Sequence, residues 1–278
     1  GPSDIRNRLF PSTNGSRREI NPYAVSPDWR PLAERAAEIL SPEEVTTAFQ
    51  STQYAHYTSE PMIRAIWSGL QRLGFKGGNI LEPGMGTGLF AVASPSEVME
   101  KSKYTGVEMD KATARIARHL LPESNILNAD FVKQKKYRFL LHDYFFAKSL
   151  DKVRPGGLLV FVTSKGTMDK ADDKARAYMA ERADLLGAIR LPQTAFKQNA
   201  GTEVVTDVLF LRKRQPGEVP GGESWQGRAE VQTPEGPALV NEYFARHPDM
   251  VLGEHSLKGS MYRSDEYTVL PHGTDIDA

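Results

Sequence analysis

The sequence predicts an α/β fold: a mostly parallel, doubly wound sheet that closes with an antiparallel hairpin. Two observations predict it. Apolar runs of strand length alternate with stretches of helical periodicity between residues 79 and 163, the pattern of parallel strands covered on both faces. The first three of these runs each close on an acid, Glu82, Glu108 and Asp130. Sheets of this kind bind ligands at the carboxyl ends of their strands.

The stretch Asn79-Ile80-Leu81-Glu82-Pro83-Gly84-Met85-Gly86-Thr87-Gly88 is the centre of the chain. An apolar strand ends on Glu82 and Pro83, and glycines follow at alternate positions. Glycine is needed where a backbone turns tightly from strand to helix with a ligand against it, because a Cβ would clash. The order is neither the G-x-G-x-x-G of dinucleotide sites nor a P-loop with its Gly-Lys-Ser/Thr.

Ahead of this centre, residues 1–28 are rich in Pro, Ser, Asn and Arg and read as an extended or disordered arm. Ser41-Pro42-Glu43-Glu44 has the form of a capping box with proline in the first helical turn. Met62, Ile63, Ile66, Trp67, Leu70 and Leu73 recur at helical spacing. Behind the centre, residues 104–110 read as a second strand, 111–121 as an amphipathic helix and 125–131 as a third strand. A helix over 140–150 and a strand over 158–163 follow, then a helix over 174–186 and two closing strands, 187–191 and 204–213. The Pro- and Gly-rich stretch 215–237 reads as a linker or long loop. This gives an N-terminal arm and helix (1–50), a main domain (51–214), and a linker with an acidic appendage (215–278).

Composition narrows the chemistry. The 278 residues have 40% hydrophobic and 25% charged content, as in ordinary globular proteins. No apolar run approaches a membrane span, and the polar N-terminal stretch does not read as a signal peptide. With no cysteine, disulfides, thiol catalysis and Cys-ligated zinc are excluded, and a reducing, cytoplasmic setting is expected. The six histidines lack metal-ligand spacing, so no metal is expected. Net charge is zero but uneven: residues 131–214 hold 17 Lys and Arg against 9 Asp and Glu, whereas 215–278 hold 4 against 11. A basic segment of this kind attracts polyanions, although a solvated surface gives the same count.

A lone acid at a strand end is more often a helix cap or a surface charge. Three in register after consecutive strands, with Glu108 twenty-six residues beyond Glu82, match the spacing by which strand-end acids meet a ribose.

Residues 81–88 resemble motif I of S-adenosylmethionine (SAM)-dependent methyltransferases, with Glu82 in place of the commoner Asp. The chain as a whole is similar to the N6-adenine DNA methyltransferases of class I fold, above all to methyltransferase domains that precede a helicase in very large phage, plasmid and mobile-element proteins. His56-Tyr57-Thr58-Ser59 stands where that family has an aromatic-Thr-Pro loop, with Ser59 replacing the proline. Val107-Glu108-Met109-Asp110 matches the ribose motif and Asn128-Ala129-Asp130-Phe131 the adenine motif. Leu191-Pro192-Gln193-Thr194-Ala195-Phe196 and residues 206–211 resemble the closing hairpin of type I modification subunits. His142-Asp143-Tyr144-Phe145, Thr163–Lys170 and Asn241-Glu242-Tyr243-Phe244 are typical of the helicase-linked group. The likeness covers roughly residues 30–270.

The resemblance implies SAM as cofactor and DNA as partner, with a helicase domain attached in the natural protein; no oligomeric state follows from it. It implies SAM contacts from Tyr57, Thr58, Glu82, Pro83, Gly84, Gly86, Gly88, Glu108, Met109, Asp130 and Phe131. Lys165, Gly166 and Thr167 fall where the family places residues beside the target base; a plain polar loop is the alternative.

One departure bears on catalysis. The family orients the target amino group with Asn (or Asp)-Pro-Pro-aromatic after its fourth strand, and this tetrapeptide is absent from all 278 residues. Only 132–138 separate Phe131 from the next helix, too few for a strand, the motif and a loop, so no catalytic residue is assigned. Residues belonging at this point are absent from the chain, or a segment has been deleted, or the protein is a SAM-binding relic. Methylation of a glutamine amide or of RNA, and a non-catalytic module serving a helicase, stand as alternatives.

Overall fold

The computed structural model describes residues 20–51, 58–132, 141–197, 203–259 and 266–273. They form two compact units, residues 20–132 and residues 141–273.

The first unit opens with helices α1 (Arg30–Ile39) and α2 (Pro42–Ser51). Ser41 and Glu44 make the predicted capping box: Glu44 N donates to Ser41 Oγ at 3.3 Å, and Ser41 N donates to Glu44 Oε2 at 2.9 Å. Ile20 and Val25 are buried against Ala33 and Val45. The described end of the expected arm is therefore packed, because it carries these two apolar anchors. Helix α3 (Glu60–Arg72) buries Ile63, Ile66 and Trp67, the stripe that its periodicity predicts.

Strands β1 (Asn79–Pro83), β2 (Lys103–Glu108) and β3 (Asn125–Asn128) pair in parallel in that order. Two short helices, α4 (Leu89–Val92) and α5 (Ser96–Met99), follow β1, and α6 (Lys111–Leu120) follows β2. Asp110 caps α6 by accepting from Thr113 N at 2.7 Å. Ala114 and Ala117 of α6 are fully buried against Met85, Tyr104 and Ile126, while Ile63 and Trp67 of α3 pack with Ala93 and Val98.

In the second unit β4 (Leu158–Ser164), β5 (Ala183–Leu191) and β6 (Thr206–Lys213) form an antiparallel sheet with β6 in the middle. The first six residues of β6 are all buried, as a covered central strand requires. Helices α7 (Leu141–Lys152), α8 (Gly166–Asp169) and α9 (Lys174–Ala180) belong to this unit, as do the hairpin β7 (Arg228–Thr233)–β8 (Gly236–Asn241), helix α10 (Glu242–Arg246) and the hairpin β9 (Glu254–Gly259)–β10 (Glu266–Leu270).

Three expectations change. The helix expected over 174–186 ends at Ala180, because Ala183 and Asp184 pair with Lys213 and Arg212 and a bulge before Gly187 carries the strand onward. The stretch 215–237, expected as a linker or loop, contains β7 and the buried Trp225. Trp225, Val240, Phe244 and Val269 share one core with Leu159 and Leu209, so the apolar content of this region closes the second unit. Finally, Leu158–Ser164 does not extend the parallel run; among the described residues it pairs antiparallel with β6.

No helix among the described residues is long and apolar enough to cross a membrane. Nor do they contain a group of three or more His, Cys, Asp or Glu able to hold a metal.

Candidate functional site

The glycine turn and the strand-end acids meet at the carboxyl ends of β1 and β2. Glu82 stands opposite Gly106 in the parallel register, and Pro83 opposite Val107. The chain then turns back: Gly84 N and Met85 N both donate to Val107 O, at 2.8 and 3.2 Å. Gly84, Gly86 and Gly88 have φ of 69°, 57° and 87°, the left-handed region where a side chain is strained. Among the described residues a Cβ on Gly84 would meet no atom within 4 Å, so the space beside that residue is open. Gly88 faces the protein instead, and a Cβ there would come within 2.6 Å of Leu121 Cδ1.

Glu108 ties β2 to this turn. Its Oε2 accepts from Gly86 N at 3.0 Å and its Oε1 from Asp110 N at 2.8 Å. Burial pushes its carboxyl above the ordinary range, and the two amides pull it partly back. Glu82 is the more deeply enclosed acid. Burial pushes it up to about 7, against the Tyr104 hydroxyl that donates to it and with the Glu108 charge adding to the rise. Asp110 is only 2% exposed, and its Oδ2 has no hydrogen-bond partner among the described residues.

The third acid sits at the rim. Asn128 Nδ2 donates to the carbonyls of Glu108 and Met109, both at 3.0 Å, which fixes the end of β3 to that of β2. Asp130 is exposed and accepts from Val132 N at 2.7 Å; Phe131 is half-buried and Met109 is 54% exposed. Thr58 is half-buried just before α3, while Tyr57 lies outside the described residues.

The structure thus brings Glu82, Pro83, Gly84, Gly86, Gly88 and Glu108 together, with Met109, Asp130 and Phe131 on the adjoining strand ends. Sequence reasoning missed Tyr104. Its signal was the two-residue period of a strand, which sets Tyr104, Gly106 and Glu108 on one face of β2. Gly106 between them leaves the room that Met85 fills: a Cβ at Gly106 would lie 2.0 Å from Met85 Sδ.

The second unit holds Lys165, Gly166 and Thr167. Thr167 is buried, its Oγ1 2.9 Å from Thr163 Oγ1 and its carbonyl accepting from Arg176 Nη1 at 3.0 Å. Lys165 Nζ donates to Glu266 Oε1 at 2.8 Å and to the Tyr267 carbonyl. Much of the basic excess of 131–214 is likewise internal. Arg176 donates to the carbonyls of Gln226, Thr167 and Lys170, and Lys213 to those of Leu150 and Val153. Arg190 and Arg214 pair with buried aspartates. The charge count alone therefore overstates the surface offered to a polyanion.

No protein-family model matches the chain. It is 26% identical over 233 residues to the "Defense against restriction protein B" of Escherichia phage P1, covering 71% of this chain and 10% of that protein. The chain spans about a tenth of the phage protein's length. Among solved structures the chain is similar to a Listeria monocytogenes protein described as a class I SAM-dependent methyltransferase. That match has a TM-score of 0.51 and 16% identity over 70% of this chain and 76% of the other. A protein described as a modification subunit of a type I restriction enzyme from Vibrio vulnificus gives a TM-score of 0.49 and 14% identity, over 89% and 68%. The Listeria likeness shows the fold, the Rossmann-like α/β fold of class I SAM-dependent methyltransferases.

Proposed function

We propose that this chain is the SAM-binding domain of a larger DNA methyltransferase that acts on adenine N6. The observation that carries the reading is the bond from the Gly86 amide to Glu108, which sets a carboxylate beside a glycine turn that is open at Gly84. The residues suit the cofactor. Glu108 keeps lone pairs for ribose hydroxyls; among the described residues Asp110 Oδ2 is buried without a donor, and a Cβ on Gly84 would meet no atom within 4 Å.

Bound SAM would supply a methyl group already activated by its sulfonium. The chain's own part is binding and orientation. Glu108 would hold the ribose, the turn 84–88 with Glu82 the methionine end, Asp130 and Phe131 the adenine, and Tyr57 and Thr58 the carboxylate. An amino group stacked in a duplex cannot meet the methyl in line, so the target base has to leave the stack. The likeness to a phage protein named for defense against restriction supports a setting in restriction and modification of DNA; a helicase in the same polypeptide is what the sequence resemblance implies.

A second reading, a non-catalytic SAM-binding module, is favoured by one observation: no Asn-Pro-Pro-aromatic tetrapeptide occurs in the chain. Without an acceptor to orient the amine, much of the barrier reduction is lost. Labelled SAM and duplex DNA, followed by nucleoside mass spectrometry, separate the readings. The 278-residue chain is expected to bind SAM and transfer no methyl, whereas a form with a complete segment after Phe131 forms N6-methyladenine. Robust N6-methyladenine from the 278-residue chain overturns the role given to the missing tetrapeptide. A complete form that binds SAM and stays inactive on DNA supports the module, and activity on RNA or a glutamine amide displaces the DNA reading.

A further inference from the structure

We propose that Tyr104 is a positioning residue of the cofactor site: it holds the half-buried Glu82 carboxyl, which keeps its proton while the site is empty and gives it up when a cationic ligand group docks. The inference rests on the SAM reading and assigns a linked proton to it.

Glu82 has a poor environment for a charge. Among the described residues its one hydrogen-bond partner is the Tyr104 hydroxyl, a neutral donor that is itself 5% exposed. Among the described residues the charge that acts on it is that of Glu108, of the same sign. The cations of α6 are engaged elsewhere: Lys111 with Glu43, Arg115 with Glu44 and Arg118 with the Ile126 carbonyl. The turn from Pro83 to Phe90 contains no ionisable side chain, and Asp130 on the β3 side accepts from Val132 N. Two carboxyls at neighbouring strand ends with no cation between them favour a shared deficit of charge. Burial and Glu108 together push Glu82 up to about 7.

A tyrosine suits both states of the acid. Its hydroxyl can stay bonded to Glu82 whether the carboxyl is neutral or ionised, so the group remains oriented as it titrates. Burial and the adjacent carboxyl push the Tyr104 hydroxyl itself upward, so it stays protonated and donates throughout. When the positive end of SAM arrives, the proton of Glu82 passes to solvent and an ion pair replaces it. A neutral ligand would leave the proton in place.

Titration calorimetry with SAM in two buffers of different ionisation enthalpy tests this near pH 7. The expected result is release of a fraction of a proton per SAM bound. Below the Glu82 titration, affinity should rise up to about tenfold per pH unit. Glu82→Gln should abolish the release. Tyr104→Phe should move both profiles to higher pH, because the donor that stabilises the anion is gone. SAM binding with equal heats in both buffers and a flat pH profile overturns the proposal and leaves the cofactor reading intact. A wild-type profile in folded Tyr104→Phe overturns the role of Tyr104. If that variant does not fold, the two-buffer measurement on the wild type and on Glu82→Gln decides the proton linkage. Absence of any SAM binding overturns the proposal and the cofactor reading together.

Discussion

Glu108 and Gly86 meet across 22 residues of chain, the carboxylate of one accepting from the amide of the other at 3.0 Å. This bond sets where the acid points and how the turn closes. Glu108→Ala removes the partner proposed for the ribose and leaves the Gly86 amide without an acceptor. Affinity for SAM should fall roughly ten- to hundredfold, about 1.5–3 kcal/mol. Calorimetry on the folded variant checks it, and unchanged affinity would remove Glu108 from the site.

Gly106 exists to admit Met85. A Cβ at that position would sit 2.0 Å from Met85 Sδ, inside any tolerable contact. Gly106→Ala should therefore cost about 1–3 kcal/mol of stability as overpacking. The cost should shrink in a Met85→Ala background, because the two changes share one space. Denaturant midpoints of the two single variants and the double variant measure the coupling; strictly additive losses would contradict this contact.

In the second unit Arg190 is fully buried between two acids. Its Nε and Nη2 each donate to Asp207 at 2.8 Å, while Nη1 and Nη2 donate to Asp169 at 2.9 Å. Asp169 also accepts from Asn241 N at 2.8 Å, which joins β8 to α8. Removing the cation leaves buried carboxylates uncompensated, so Arg190→Met should cost about 3–5 kcal/mol. Replacing Arg190 together with Asp207 and Asp169 by apolar residues should recover most of that loss. Urea unfolding of both variants tests it, and a silent Arg190→Met would show that the pair contributes nothing.

Glu82 also links stability to pH. Its carboxyl rises from an ordinary 4.5 to about 7 on folding, so between these values the folded chain binds more protons than the unfolded one. The contribution is fully present below about pH 4.5 and is lost as pH rises through about 7, an effect of up to about 3 kcal/mol. Glu82→Gln, which stays neutral, should flatten the stability profile across this window and gain on the wild type at pH 8. Thermal unfolding from pH 5 to pH 8 reads the difference; parallel profiles for the two proteins would contradict it.

Much of the first unit was legible because its signals are local. The alternation of strand and helix, the capping box at Ser41 and the glycines after Glu82 all act within a few residues, and the structure reproduces them. Tyr104 escaped because its meaning depends on parallel register, which sets it diagonally across from Glu82. Residues 215–270 escaped for a different reason. Their apolar residues are spread thinly between turns and acids, and only the fold gathers Trp225, Val240, Phe244 and Val269 into one core. The basic segment misled in the opposite direction, since no count distinguishes a surface lysine from Arg176 or Arg190, each at most 1% exposed. Of the proposed SAM contacts, Tyr57 lies outside the described residues.

The central claim is that the turn after β1 receives SAM, and calorimetric titration of SAM into the wild type and Gly86→Val tests it most directly. The valine side chain would enter the space proposed for the cofactor, at a backbone φ of 57° that side chains rarely adopt. The expected result is one SAM bound per wild-type chain and none to Gly86→Val, with circular dichroism showing the variant folded. Normal SAM affinity in Gly86→Val, or no binding by folded wild-type protein, would contradict the claim.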